Sequence, residues 1–125
     1  MAGWGQSRLL ETAWLLFWIV ASSLWCVSAA ARLSATFDEP TYIACGLTSW
    51  HTGSSKRLLD LGTMPLPPHA QTLPIHLWER WRGEPFDPVR DLDRLLPVAR
   101  MGTLPFWWLL LLYGWRTGRQ IAGRW

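Results

Sequence analysis

"TAWLLFWIVASSLWCVSAAA", residues 12–31, decides the fold: twenty consecutive residues without a charge. At about 1.5 Å of rise per residue, a helix of that length covers roughly 30 Å, the thickness of a bilayer's hydrocarbon core. Arg8 precedes the stretch and Arg32 follows it, and Trp14 and Trp25 lie toward its ends, where amphipathic rings favour the interface. The competing reading is a secretory signal, with Arg8 as the basic flank and Ser28, Ala29 and Ala30 as a cleavage site. Signal cores ordinarily run about 7–15 residues. The greater length and the repeated Trp favour a retained helix over cleavage of residues 1–30.

A second apolar stretch, "MGTLPFWWLLLLYGW" (Met101 to Trp115), closes the chain. Extended back to Pro97 it is long enough to cross a bilayer, provided that Arg100 reaches the interface or faces other helices. Pro97 and Pro105 start or kink it. The chain therefore reads as an all-α membrane protein. Residues 1–11 form a cytoplasmic N-terminus, 12–31 a first transmembrane helix, 32–96 a long extracytoplasmic loop with short interfacial helices, 97–115 a second transmembrane helix, and 116–125 a basic cytoplasmic end. Arg8, Arg116, Arg119 and Arg124 put both termini inside by the positive-inside rule. The expected location is the cell's inner membrane, multi-pass, with the loop on the periplasmic side and membrane lipids as neighbours.

Composition agrees. Half of the 125 residues are hydrophobic and eleven are Trp, whereas nearly all the charge falls between the two apolar stretches. A net charge of +3, with no basic run interleaved with aromatics, argues against nucleic acid as a partner. Cys26 and Cys45 support neither a disulfide framework nor a metal site.

Within the loop, "FDEP" (residues 37–40) sets two carboxylates just beyond the first span. Ile43, Leu47 and Trp50 then recur on one helical face, with Pro40 near its start and Gly53 at its stop. Asp38 and Glu39 have two readings. They cap the helix through its orphan amides and dipole, or they form an active site at headgroup height. A carboxylate there can act as general base on a hydroxyl, and a divalent metal held against a phosphate is left open as an option. Farther on, Leu73, Leu77 and Trp81 make one side of a second amphipathic helix in the interface plane, bent at Pro74, with Glu79 and Arg80 turned away and Gly83 at its end. His51, His69 and His76 match no ligand spacing and read as surface or interfacial residues, so no metal site is assigned. Arg100 is either an anchor beside the span or a binder of lipid phosphate.

"FDEPTYIACGLTSWHTG" after a first span resembles the start of the first external loop in the GT-C type lipid-dependent glycosyltransferases. That superfamily includes the protein O-mannosyltransferases and the aminoarabinose lipid A transferases. Its members typically show an Asp-Glu pair, an aromatic shortly after, a Gly and a Thr-Gly turn. Asp38, Glu39, Tyr42, Gly46, Thr52 and Gly53 fill those places. Arg100 and "GRQIAG" resemble the family's arginine at the second span and the basic turn after it. The resemblance implies transfer of a sugar from a polyprenyl-phosphate donor to an acceptor hydroxyl. In it Asp38 is the catalytic base, Glu39 its supporting partner, and Arg100 and Tyr42 bind substrate. Two spans do not enclose a lipid-linked sugar, so the chain is expected to be an N-terminal portion, inactive alone, with further transmembrane helices needed from elsewhere. The alternative is a small two-span membrane protein whose loop binds a partner without catalysis.

Overall fold

A computed structural model describes residues 3–122, with side chains for residues 9–121; Arg8 and Arg124, which carry part of the topology argument, lie outside the described side chains. Every regular element among the described residues is helical: α1 (Gly3–Arg32), α2 (Glu39–Thr52), α3 (Lys56–Asp60), α4 (Leu66–Arg82), α5 (Leu92–Met101) and α6 (Leu104–Ala122). Two helical stretches are long and apolar enough to cross a membrane. One is Leu9–Arg32, of mean hydropathy 1.8, and the other is Leu92–Ile121, of mean hydropathy 1.5, which joins α5 to most of α6. A turn at Gly102–Thr103 separates α5 from α6. Arg100 therefore belongs to the last turn of α5, and the apolar helix proper starts at Leu104, with Pro105 in its first turn where a missing N–H costs nothing.

The chain forms two compact units. The first contains most of α1 together with α6. These helices run antiparallel, because contacts pair the far end of one with the near end of the other. Trp107 Nε1 donates to Ser22 Oγ at 2.9 Å and Trp108 Nε1 to Ser23 Oγ at 2.8 Å. Arg119 Nε lies 3.3 Å from Glu11 Oε2. Both serine hydroxyls donate back to carbonyls of their own helix, at Trp18 and Ile19. Each can therefore also accept an indole N–H, a polar contact suited to apolar surroundings.

The second unit, Val27–Thr103, is built on α2, α4 and α5. Its core joins Ile43 and Leu47 of α2, Ile75 of α4, Phe86, and Leu95, Leu96 and Ala99 of α5. Gly53 and Gly83 end α2 and α4 at φ 69° and 75°, the left-handed turn that a side chain resists. The helix α4 runs unbroken through Pro74. Its Leu73, Leu77 and Trp81 are exposed as a stripe, whereas the face it buries is a different one: Pro68, Thr72, Ile75 and Glu79. Glu79, expected to turn away toward water, is thus on the packed side, because a hydrogen-bond acceptor is needed there for the Phe86 amide.

Candidate functional site

Just after α1, the chain turns through Ser34–Phe37 and enters α2, and one arginine holds that turn in place. Arg100 makes five hydrogen bonds, as many as its guanidinium has N–H groups. Nε donates to Glu39 Oε1 at 2.8 Å and Nη2 to Glu39 Oε2 at 2.7 Å, a bidentate fork. The remaining donors go to the carbonyls of Ala30 (3.0 Å), Leu33 (2.8 Å) and Ser34 (2.9 Å). Some of these are the carbonyls that the end of α1 leaves without an intrahelical partner. All five N–H groups of Arg100 are thus engaged within the protein, and none is left over for a lipid phosphate, the second of the two readings that the sequence left open for this residue.

The two carboxylates of the pair fare differently. Glu39 also accepts the Thr36 backbone N–H at 2.8 Å, a reach back from the helix's first turn like that of a capping box. The Arg100 hydrogen bonds and this amide outweigh desolvation and hold the Glu39 carboxyl at about 2. Such a carboxylate stays ionised and is a poor proton acceptor near neutral pH. Asp38 occupies the N-cap position but makes no side-chain capping bond. Its Oδ1 accepts the Thr36 hydroxyl at 3.0 Å, and its Oδ2 takes no hydrogen bond from the described residues. The cap reading therefore fails for Asp38 in its simple form, and Glu39 caps the turn rather than the helix.

Asp38, Glu39 and Tyr42 line an open cleft of about 340 Å³ with Thr36, Thr63, Pro67 and Gln71. The Tyr42 hydroxyl accepts Thr63 Oγ1 at 3.3 Å, which ties α2 to the segment leading into α4. Thus the four residues singled out from the sequence, Asp38, Glu39, Tyr42 and Arg100, converge on one place in the second unit. Asp38 and Tyr42 face the cleft, and Arg100 lies behind Glu39.

Sequence spacing overlooked a polar seam between α2 and α4. Ser49 Oγ is 2.8 Å from His69 Nε2, Trp50 Nε1 donates to Thr72 Oγ1 at 3.1 Å, and Trp50 stacks on His76 at 5.4 Å. His69 and His76, which read from the sequence as surface or interfacial, are half-buried. The His76–Glu79 spacing of three was the signal available in the sequence, since it puts both side chains on one helical face.

No family model, curated protein or solved structure matches this chain.

Proposed function

We propose that this chain supplies the acceptor-activating corner of a membrane glycosyltransferase, which moves a sugar from a polyprenyl-phosphate carrier to an acceptor hydroxyl. One observation carries the reading: Arg100 and Thr36 occupy Glu39 and leave Asp38 with an open oxygen at a cleft. Asp38 Oδ2 takes the acceptor's proton as the acceptor oxygen bonds to the anomeric carbon. The bond from that carbon to the phosphate oxygen breaks, and polyprenyl phosphate leaves with its electron pair. Glu39 is a positioning residue, since its fork with Arg100 fixes the backbone that presents Asp38. Tyr42 contributes the apolar flank and phenol of the acceptor side.

The antiparallel pairing of α1 and α6 supports a topology with both ends on one side. The arginines near them make that side the cytoplasm and the loop extracytoplasmic, in the cell's inner membrane. Further transmembrane helices complete the donor cavity, and the unit is inactive without them. The test is Asp38→Asn in membranes containing the complete assembly. Sugar transfer to acceptor falls by at least about 100-fold, the lower range for removing a general base, while membrane insertion is retained. Full transfer by the variant overturns the assignment.

A second reading, a two-span protein with a partner-binding loop, is favoured by the outward stripe of Leu73, Leu77 and Trp81, which are 40%, 57% and 86% exposed. Under it Asp38→Asn has no consequence, whereas Leu77→Asp abolishes association, read by co-purification.

A further inference from the structure

At the opposite end of α2 from Asp38, roughly 20 Å away by helix rise, three side chains from two helices converge. His51 is in the last turn of α2, and His76 and Glu79 lie on one face of α4. His51 Nε2 is 2.7 Å from Glu79 Oε2, and His76 Nδ1 is 3.7 Å from the same oxygen. One ligand atom from each residue lies within 4.8 Å of the others. A tetrahedral ion bound at about 2.0–2.2 Å separates its ligands by roughly 3.4 Å, so these spacings surround that value.

Two features distinguish this cluster from an ordinary ion pair. The first is that His76 Nδ1 is buried and has no hydrogen-bond partner among the described residues. A buried polar atom without a partner costs free energy, and this one lies 3.7 Å from the group's shared oxygen. The second is that the two ligands on α4 already have supports that fix their orientation. Glu79 is 5% exposed, and its other oxygen, Oε1, accepts the Phe86 N–H at 2.9 Å, which leaves Oε2 for the centre. His76 is stacked on Trp50 with an interplanar angle of 11°. Such supports are what a metal's outer shell provides.

We propose that His51, His76 and Glu79 form a zinc site that clamps the end of α2 to α4. Two imidazole nitrogens and one carboxylate are the donor set that zinc takes, and they disfavour magnesium and calcium, which prefer oxygen. His51 binds through Nε2 and carries its proton on Nδ1, and His76 binds through Nδ1. The ion replaces the short contact of His51 with Glu79 and gives the partnerless nitrogen a bond. His51 is the exposed member, so the ion enters from its side, and the fourth position is left to water. The site is independent of the proposed sugar transfer.

The full chain, purified in detergent and stripped with a chelator, is titrated with zinc chloride while bound metal and melting temperature are measured. The expected result is one zinc ion per chain and a rise in melting temperature with added zinc. His51→Ala, His76→Ala and Glu79→Gln each weaken binding by more than the roughly 10–100-fold that loss of an outer-shell partner costs. A Cys26→Ser, Cys45→Ser double variant binds as the parent does. His51 is the exposed member, with its side chain 41% exposed, so His51→Ala keeps the fold and decides the matter if His76→Ala does not fold. Absence of stoichiometric zinc in the parent overturns the proposal, as does unchanged zinc affinity in the His51→Ala variant.

Discussion

Asp38 and Glu39 are neighbours in the chain and opposites in environment, and their substitutions separate accordingly. Glu39→Gln removes the charge from a fork whose members are only 17% and 21% exposed, and is expected to cost roughly 1.5–3 kcal/mol, the worth of hydrogen bonds to charged groups. Arg100→Lys keeps the charge but loses the fork and the three carbonyl contacts, so it fails to substitute. Asp38→Asn retains an acceptor for Thr36 and changes stability by no more than about 0.5 kcal/mol. Thermal melts of the three variants check this ranking. The pair also sets an acid limit. The folded pKa of Glu39, about 2, lies below its ordinary 4.5, so its stabilisation is fully present above about pH 4.5 and fades as pH falls toward 2. The stability gap between parent and Glu39→Gln should narrow over that window; a gap constant down to about pH 2 would contradict the fork. The sequence marked all four residues of this corner. It did not say which acid is bound and which is open, because that depends on Arg100, sixty-one residues from Glu39.

Among the elements, the contact of α2 with α4 is the most exacting. A methyl group on Gly46 would lie 2.7 Å from Thr72 Oγ1 and 2.8 Å from Thr72 Cγ2. Thr72 is itself fixed, fully buried, donating to the Pro68 carbonyl and accepting from Trp50. Gly46→Ala is therefore expected to destabilise the second unit by about 1–3 kcal/mol. Thr72→Ala in the same chain should recover part of that loss, which a double-mutant cycle measures; strict additivity of the two changes would refute the contact. The apolar face of α2 was readable from Ile43 and Leu47 at a spacing of four. The packed face of α4 was not, because two of its four members are Thr72 and Glu79. A polar residue qualifies for a core only through partners such as Trp50 and the Phe86 amide, which lie on other segments.

For the molecule as a whole, both long apolar helices could be read from their uncharged stretches, residues 12–31 and 101–115, and their partnership could not. Trp107 and Trp108 use their N–H groups on Ser22 and Ser23, a pairing that no feature of the sequence marks. Replacing both serines by Ala leaves two indole N–H groups unpaired and is expected to weaken the helix pair by roughly 1–2 kcal/mol in a bilayer, at about 0.6 kcal/mol or more per contact. Unfolding in bicelles measures it, and an unchanged stability would mean that the contacts carry no weight there. The proposed topology has its own check. In a chain whose only cysteine is introduced as Ser54→Cys, an exposed loop position, a membrane-impermeant maleimide should label intact spheroplasts.

The five bonds of Arg100 also impose an order of events on biogenesis. The exit of α1 and the turn that carries Asp38 emerge early, whereas the guanidinium that completes both is made sixty-one residues after Glu39. At roughly 5–20 residues per second, that is a delay on the order of 3–12 s. Through that interval Glu39 stands beside the end of α1 without its counter-charge, and the nascent chain carries an unfinished corner that closes only when α5 arrives.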